Sequence, residues 1–462
     1  MKRDRCILFV NPWIHDFAAF DFWVKPLGLL SLASIFRLNG YGITYLDCLN
    51  EMVSLPHESR DPVSRPKRNE YGIGRFSKQR IDRPKPLSEF PRSYFRYGIS
   101  RERFLQHLSA LSPPDLILVT SMMTYWYPGV NDTIQAIRSV YPEVPLILGG
   151  NYVSLCPDHA GLSGADRVLA GPGEMHIAGI IEDVFGHSPS FLPDLVDLDS
   201  HPFPAFDLIP HPDPLPILTA RGCPHRCTYC AAHSLYPGFR RRDPVKVADE
   251  IRHWHLRFGV RNFSFYDDAF LADPPAMALP LLRTLHKRAD PVLFHCPNGL
   301  HARALSSELA KLMFCTGFRT IRLGFESADP SLQRQTGGKV RNDELVRAIR
   351  YLREAGYEGS EIGVYLLCGL PGQTARQVEE SIRFVQSLGA RALLAEYSPI
   401  PGTGLWEDAC RTSPYDLSRD PLFHNNTLLP CRSDFLTYRD YRRLKSLSRE
   451  SVPDGSSQAS TS

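Results

Sequence analysis

The chain has 462 residues, with 53 Lys and Arg against 50 Asp and Glu, so its formal net charge is +3. This near balance excludes, for the chain as a whole, a strongly basic nucleic-acid binder and an acidic solvating protein. Its 43% apolar and 22% charged residues are typical of a globular protein, and its length predicts two or three domains. No apolar run predicts a membrane span, and no signal sequence is evident, so we expect a cytoplasmic protein.

Eleven cysteines are present, an odd number that excludes complete pairing. In a long chain without a signal peptide, cysteines serve as thiols or metal ligands more often than as disulfides. We therefore expect metal-ligating cysteines among them, and a plain surface thiol at Cys431.

The first 200 residues alternate short apolar runs with helical spacing. Helices are predicted at 27–38 and 131–141, and buried strands at 7–10, 43–47, 116–120 and 146–150. Continuously apolar strands separated by helices are typical of a parallel sheet covered on both faces. We therefore predict a doubly wound, Rossmann-like α/β domain over residues 1–200.

An insertion at 57–100 interrupts this domain. It has eleven Lys and Arg against five Asp and Glu, a local net charge of +6. Two interpretations remain open: a solvated basic loop, or a clamp on an anionic substrate or on the second domain. Its aromatic residues Tyr94, Phe95 and Tyr97 predict that its end packs down.

A Pro-rich linker at 201–215 precedes a second βα pattern over 216–405. Helices separate six predicted strands, at 217–220, 262–266, 292–295, 320–324, 362–367 and 393–397. Six parallel strands make a partial (β/α)6 barrel of the TIM type, open on one side because a closed barrel needs eight. A short C-terminal extension at 406–450 and a disordered Ser-rich tail at 451–462 follow.

Directly after the first barrel strand, Cys223, Cys227 and Cys230 have the spacing C-x3-C-x2-C. Three thiolates without a fourth are incomplete for a structural four-cysteine site. A 4Fe–4S cluster held by three cysteines keeps one iron open for a cofactor or substrate. The alternatives are zinc, with His225 or His233 as the fourth ligand, and cysteines that bind no metal.

This loop, its place after the first strand and the aromatic Tyr229 before the last cysteine resemble the radical S-adenosylmethionine enzymes. The resemblance implies that the open iron chelates S-adenosylmethionine. An electron from the cluster would then cleave it to methionine and a 5′-deoxyadenosyl radical, with the electron supplied by a reductase or flavodoxin-type partner. The protein positions and shields these cofactors.

The segment Gly324-Phe325-Glu326-Ser327 ends the fourth strand and resembles the G-x-E-S element of the superfamily. The resemblance implies that the acid and the hydroxyl face the ribose and methionine parts of S-adenosylmethionine. A carboxylate suits this role because it accepts charge-assisted hydrogen bonds. The alternative for Glu326 is a structural ion pair.

Two further strand ends fit the same order of motifs. Asp268 stands at the end of the second strand, where relatives in the family place groups that meet the amino end of the methionine part. The alternative is that Asp268 caps a turn, and its neighbour Asp267 is less favoured for the cofactor role. At the fifth strand, Tyr365 and Gly369 correspond to an apolar segment that lies against adenine, or they belong to an ordinary strand-to-helix turn.

The N-terminal domain resembles the cobalamin-binding-type domain that precedes many radical S-adenosylmethionine barrels. The resemblance implies that Gly149 and Gly150 let the backbone approach cobalamin, and that Ser121 hydrogen-bonds it. The D-x-H-x-x-G element that supplies a cobalt ligand is absent, because His15 precedes Asp16 and no glycine follows at the right offset. Cobalamin would bind without a protein histidine, or the domain is vestigial.

The other eight cysteines lack the spacing of metal ligands, which disfavours auxiliary clusters and membership of the methylthiotransferases.

Three hypotheses about the function follow. The first is a cobalamin-dependent methyltransferase acting on an unactivated carbon of a small molecule, such as a natural product. The second is a radical S-adenosylmethionine oxidoreductase, cyclase or rearrangement enzyme without cobalamin. The third is a noncatalytic metal-binding module that binds a partner through the basic insertion.

Overall fold

The computed structural model describes residues 5–23, 25–50 and 68–450, and the chain divides into two compact units. Unit 1 runs to Leu215 and includes Asp420–Leu422, and unit 2 comprises Pro216–Arg419 and the chain from Phe423. The predicted tail at 451–462 and residues 57–67 of the insertion lie outside the described residues. No helix within the described part of the chain has both the length and the apolarity to cross a membrane.

Unit 1 is built on a five-stranded sheet in the order β3-β1-β6-β7-β8, with parallel pairing throughout. Its strands are β1 (Cys6–Asn11), β2 (Ile14–Asp16), β3 (Gly42–Asp47), β4 (Lys78–Ile81), β5 (Tyr94–Tyr97), β6 (Leu116–Val119), β7 (Leu146–Gly149) and β8 (Arg167–Leu169). Its helices are α1 (Leu27–Leu38), α2 (Arg101–Ala110), α3 (Tyr127–Val140), α4 (Asn151–Leu155), α5 (Pro157–Ala160) and α6 (Ile177–Phe185).

Both faces of this sheet are covered, which confirms the predicted doubly wound fold. Leu8 and Val10 of β1 point into one apolar core, and the alternate residues Ile7 and Phe9 point into another. Helix α3 begins four residues before its predicted start, because Pro128 in its first turn needs no N–H partner. Strand β8 was not predicted, since it is only three residues long and none of them is fully buried.

The described part of the insertion folds into a small antiparallel sheet, β2-β5-β4. Tyr94 and Tyr97 are buried, which confirms that the end of the insertion packs down. At Gly98 the backbone has φ +111°, and a Cβ atom there would lie 2.0 Å from the carbonyl oxygen of Cys48. The Pro-rich stretch also packs in unit 1, where the Ala205 N–H donates to the Leu30 carbonyl.

Unit 2 contains a sheet in the order β17-β16-β15-β13-β12-β9, with β14 paired to β15. Its strands are β9 (Leu215–Ile217), β10 (Ala220–Arg221), β11 (Arg240–Arg241), β12 (Asn262–Phe265), β13 (Leu293–His295), β14 (Leu300–His301), β15 (Phe318–Glu326), β16 (Ile362–Cys368) and β17 (Arg391–Glu396). Its helices are α7 (Ala232–Leu235), α8 (Pro244–Phe258), α9 (Ala278–Arg288), α10 (Ser307–Cys315), α11 (Pro330–Gln335), α12 (Asn342–Ala355), α13 (Ala375–Ser387), α14 (Trp406–Thr412) and α15 (Tyr438–Leu447).

Strands β9 and β17 are the two edges of this sheet, so the described residues form an open partial barrel, as predicted. One prediction was wrong in detail: the first strand, expected at 217–220, is divided between β9 and β10. The Asp267 carboxylate accepts hydrogen bonds from the backbone N–H groups of Thr219 and Ala220, which turns the chain out of the main sheet. Strand β10 then pairs with β11.

The C-terminal extension packs onto unit 2. Leu417 and Cys431 are buried in a core with Leu367 and Tyr397, near the ends of β16 and β17. Cys431 is 2% exposed, and burial raises the pKa of its thiol to about 12. The expectation of a surface thiol at this position was therefore wrong, because the extension is folded.

Two glycines of unit 1 provide a test of how the insertion is held. We expect Gly98→Ala to lower the free energy of unfolding by about 3 kcal/mol or more, because it combines left-handed backbone with overlap on the Cys48 carbonyl. Gly40→Ala is the control: Gly40 also has positive φ, but its Cβ would meet nothing within 4 Å, so about 1 kcal/mol should be lost. Urea unfolding of both variants measures the difference, and equal losses would contradict the close approach.

Candidate active site

The three motif cysteines lie on one loop that follows β10. Gly222 begins the loop with φ +77°, and a Cβ atom there would lie 2.0 Å from the carbonyl oxygen of Gly238. Only glycine permits this crossing of two backbone segments. Along the loop, Cys223 is buried, Cys227 is half-buried and Cys230 is exposed.

The three thiols are close enough to influence one another. Burial raises the pKa of Cys223 to about 11, and the neighbouring thiols and Asp268 add to the rise. Burial also raises the pKa of Cys227 and of Cys230, whereas the Lys339 ammonium opposes the rise in both. Thiolates in this environment therefore need a positive partner, which a metal centre supplies.

No group of three or more His, Cys, Asp or Glu side chains in residues 5–23, 25–50 and 68–450 is placed to hold a metal ion. A four-iron cluster separates its cysteine ligands more widely than a single ion does, because each sulfur binds a different iron. The two histidines considered for zinc have other contacts. The His233 Nε2 atom lies 2.8 Å from the His225 carbonyl oxygen, and the His225 ring stacks on His301.

A turn at Thr336-Gly337-Gly338-Lys339 supports the cysteine loop. The Thr228 hydroxyl donates to the Gln335 carbonyl at 2.9 Å. Gly337 has φ +105°, and a Cβ atom there would lie 2.9 Å from the carbonyl oxygen of Arg226 and 3.2 Å from the Cα of Cys227. Sequence reasoning missed this turn, although its Gly-Gly pair is a signal for close backbone approach.

Glu326 ends β15 in an unusual conformation. Its φ is +73°, it follows a register shift against β16, and it is 6% exposed. Its carboxylate accepts a hydrogen bond from the Tyr229 hydroxyl at 2.7 Å and lies 3.4 Å from the Lys339 Nζ. A non-glycine residue held at positive φ beside charged groups is typical of a functional site.

Lys339 was not among the predicted site residues, yet it connects several of them. Burial acts to lower its pKa, but Glu326 and Cys227 hold that pKa above its usual value. Its ammonium lies over Gly324, where a Cβ atom would be 2.6 Å from Nζ. Burial, together with Glu326 and Cys227, also raises the pKa of Tyr229. The structure therefore brings Tyr229, Gly324, Glu326 and Cys227 together around one ammonium.

Other predicted residues have contacts of their own. The Ser327 hydroxyl lies 3.3 Å from the Ser381 hydroxyl on α13 and accepts the Asp329 N–H. The Tyr365 hydroxyl donates to the Pro297 carbonyl at 3.0 Å. Gly369 has φ +91° and donates its N–H to the Gln373 side chain, which closes the strand-to-helix turn. Their roles toward S-adenosylmethionine stay predictions.

The two aspartates after β12 differ sharply. Asp267 is 3% exposed, and its Oδ1 atom accepts three hydrogen bonds from Thr219 and Ala220. Burial raises its pKa to about 6. Asp268 is exposed, and its negative charge raises the pKa of Cys223 and of Cys230 on the cysteine loop. Asp267 therefore has a structural task, and Asp268 is the carboxylate near the cysteines.

In unit 1 the residues predicted for cobalamin lie at the carboxyl edge of the parallel sheet. The Ser121 hydroxyl donates to the Gly149 carbonyl at 2.7 Å. Gly150 has φ +102°, and a Cβ atom there would lie 2.2 Å from the Ser121 carbonyl oxygen. The close approach at Gly150 therefore brings two segments of the protein together, and a role toward a ligand stays a prediction.

His15 is held away from a cobalt-binding role. It is 6% exposed, and its Nε2 atom lies 3.5 Å from Asp132, which also pairs with Arg96. Burial lowers its pKa to about 4, against the effect of Asp132. Its neighbour Asp16 accepts from the Trp126 indole N–H. Through these contacts, His15 and Asp16 connect the insertion to α3 and to the turn before it.

Comparisons with known proteins agree with both units. Residues 217–385 match the radical SAM superfamily, and residues 93–181 match the B12 binding domain. An uncharacterised methyltransferase of Pyrococcus horikoshii is 24% identical over 64% of this chain and 69% of its own length. The cytidylyl-2-hydroxyethylphosphonate methyltransferase of Streptomyces wedmorensis is 22% identical over 89% of this chain and 82% of its own.

Among solved structures, the radical S-adenosylmethionine methyltransferase TsrM from Kitasatospora setae, with cobalamin and a 4Fe–4S cluster bound, has a similar fold. The TM-score is 0.62 at 17% identity, over 89% of this chain and 76% of that one. The family matches lead to one conclusion, with which the cysteine loop and the open parallel sheet agree: the chain carries a radical SAM domain over residues 217–385 and, before it, a B12-binding domain over residues 93–181.

Proposed function

We propose that the protein is a cobalamin-dependent radical S-adenosylmethionine methyltransferase acting on a small molecule. One observation carries the proposal: a B12-binding domain and a radical SAM domain occur together in a chain that aligns with a named methyltransferase over most of both lengths. When bound, a reduced 4Fe–4S cluster supplies the electron that cleaves S-adenosylmethionine, and cobalamin supplies a carrier for the methyl group.

Cys223, Cys227 and Cys230 are the residues that would hold the cluster. Their loop is fixed on both sides, by the crossing at Gly222 and by the turn at Gly337, so little ordering is needed when the cluster binds. Burial raises the pKa of Cys227 and Cys230, and the Lys339 ammonium opposes that rise, which favours the thiolate forms that bind iron. This donor set fits a cluster with three protein ligands.

Glu326 and Lys339 would bind the charged parts of S-adenosylmethionine. The carboxylate accepts hydrogen bonds from an ammonium or from ribose hydroxyls, and the ammonium attracts a carboxylate. Both groups lie beside Tyr229, the residue before Cys230, and so beside the proposed cluster ligands. Asp268 adds a carboxylate close enough to the same loop to raise the pKa of Cys223 and Cys230.

Cobalamin in unit 1 would bind without a bond from His15 to cobalt, since that imidazole is buried against Asp132 and Arg96. The carboxyl edge of the sheet near Ser121 and Gly149 is where ligands bind to doubly wound folds. An oxygen-sensitive cluster requires a reducing environment and an electron donor. We therefore include a cytoplasmic location and a flavodoxin-type reductase in the proposal.

The first test replaces one cluster ligand. We expect Cys227→Ala to abolish iron–sulfur absorbance and 5′-deoxyadenosine release after anaerobic reconstitution, because two cysteines cannot hold a four-iron cluster at full occupancy. Cys315→Ala, which removes an exposed thiol from α10, is the matched control and should keep both. Release of 5′-deoxyadenosine by Cys227→Ala would contradict the ligand assignment. Release by the wild type without methylated product would favour a cyclase or oxidoreductase.

The second test addresses the buried ion pair. Lys339→Met should weaken S-adenosylmethionine binding by about 10-fold or more and should destabilise the protein by about 3 kcal/mol, because Glu326 remains buried without its cation. Adding Glu326→Gln should restore most of the stability but not the binding. Lys311→Met, at an exposed position of α10, is the control. Unchanged binding in Lys339→Met would refute the role of the ammonium.

The third test concerns His15. We expect His15→Gln to retain cobalamin to within about twofold after reconstitution, because the imidazole is occupied by Asp132 and the amide can replace that hydrogen bond. Corrin absorbance after gel filtration measures the retained cobalamin. Loss of cobalamin from a variant that still shows wild-type thermal unfolding would mean that His15 leaves its pocket to bind cobalt.

A further inference from the structure

Arg322 lies on the same face of β15 as the candidate active site. Arg322 and Gly324 stand two residues apart, before the register shift of β15, and pair with Gly363 and Tyr365 of β16. Side chains alternate between faces along a strand, so Arg322 and Gly324 share one face, and the Lys339 ammonium over Gly324 identifies it as the face of the candidate site. Two strand residues span about 7 Å. The Cα atom of Arg322 therefore lies about one such step along β15 from that of Gly324, which the Lys339 ammonium covers.

This arginine is half-buried and has no acidic partner. Among the described residues, it forms no ion pair with an Asp or Glu; its Nη1 donates to the Ile321 carbonyl at 2.9 Å, and the guanidinium also hydrogen-bonds the Tyr365 hydroxyl. Burial lowers its pKa, the Tyr365 hydroxyl opposes that change, and the cation of Arg391 adds to it. A buried guanidinium without an anion is costly, because its lost hydration is not replaced.

The neighbouring strand makes room for this side chain. A Cβ atom on Gly363 of β16 would lie 2.6 Å from Leu393 Cδ1 of β17, 2.9 Å from Arg322 Nη1 and 3.0 Å from Arg322 Cδ. The φ angle of Gly363 is not positive, so the need for space, and not the backbone conformation, explains a glycine at this position. A glycine inside a strand weakens it, and this one leaves the space that the side chains of Arg322 and Leu393 occupy.

The other groups nearby do not neutralise the charge. The His295 imidazole lies between the Thr320 hydroxyl and the Asn262 side chain, at 3.0 and 3.2 Å. Burial, with smaller contributions from Arg319 and Arg322, lowers its pKa to about 3, so it is neutral near pH 7. Arg391 adds a second cation on the face that Gly363 shares, because the two residues are paired in register.

We infer that Arg322, placed by Gly363 and flanked by Tyr365, binds an oxyanion of the substrate, a carboxylate or a phosphoryl group, on the inner face of the barrel. The guanidinium fork matches either group with two parallel hydrogen bonds. The inference rests on the proposed function, since it describes the substrate of that same site. An anion held here places the rest of a small molecule toward the strand ends, where Glu326 and Lys339 lie.

The experiment measures anion binding to the anaerobically reconstituted full chain with excess S-adenosylmethionine, which occupies Lys339. Acetate and methylphosphonate are the two anionic probes, and acetamide is the uncharged control. We expect saturable calorimetric binding of at least one anion and none of acetamide. Tighter binding of methylphosphonate would identify a phosphoryl group, and tighter binding of acetate would identify a carboxylate.

Four variants separate charge from position. Arg322→Met should weaken anion binding at least about 10-fold, and Arg322→Lys should weaken it less, because the charge remains but the fork is lost. Gly363→Ala should also weaken binding, although the arginine is still present, because the methyl group overlaps the Arg322 side chain as well as that of Leu393. Arg376→Met, at an exposed position of α13, should bind as the wild type does.

Two outcomes would overturn the inference: no saturable binding of either anion by the wild type, or equal binding by Arg322→Met. Release of 5′-deoxyadenosine is measured in the same samples. If the wild type releases it but binds no anion, the substrate class is wrong and the proposed function stands. If it releases none and retains no cobalamin, the proposed function fails whatever the anions do.

Discussion

The buried contact between Glu326, Tyr229 and Lys339 joins three separate parts of the chain. Glu326 comes from the end of β15, Tyr229 from the cysteine loop and Lys339 from the turn after α11. The left-handed backbone of Glu326 costs about 1–2 kcal/mol for a residue with a Cβ. Two hydrogen bonds to a charged group offset that cost. This contact therefore holds the cysteine loop against the end of β15.

The turn that carries Lys339 depends on small residues at two points. Gly324 leaves the space in which the ammonium lies, and Gly337 lets the turn approach the backbone of Arg226 and Cys227. A larger side chain at either position moves the ammonium away from Glu326 or the turn away from the loop. The Arg303 side chain fixes the other side of the turn by donating to the Gly338 carbonyl at 2.8 Å. These contacts therefore fix where the Lys339 ammonium lies relative to Glu326 and the cysteine loop.

The cysteine loop is also held from the C-terminal side of unit 2. The Leu405 N–H donates to the Thr228 carbonyl at 2.9 Å, and a Cβ atom on Gly404 would lie 3.2 Å from the Thr228 side chain. Tyr229 packs against the core that contains Leu405 and Cys431. The C-terminal extension therefore supports the loop that carries the cysteines, and its fold is linked to the site.

The sequence was sufficient for the alternation of strands and helices, because apolar runs and helical spacing are local signals. It also predicts roles for the three cysteines and for Glu326, which stand in recognisable motifs at strand ends, and those roles stay predictions. It was insufficient for Lys339 and Arg322, since a lysine in a turn and an arginine in a strand look like solvated charges until their burial is known. The division of the first strand likewise depended on a distant carboxylate, that of Asp267.

Two cations lie against the inner face of β15, Arg322 from the strand itself and Lys339 from the turn after α11, and their electrostatic surroundings differ. At the strand end, Lys339 has a carboxylate 3.4 Å away, and its pKa is held above the usual value. Two residues deeper, Arg322 has only a carbonyl and a tyrosine hydroxyl, and its pKa is lowered. Since arginine does not deprotonate near pH 7, the unpaired site keeps its full charge. The paired cation is suited to organising the protein, and the unpaired cation is suited to attracting an anion from outside it.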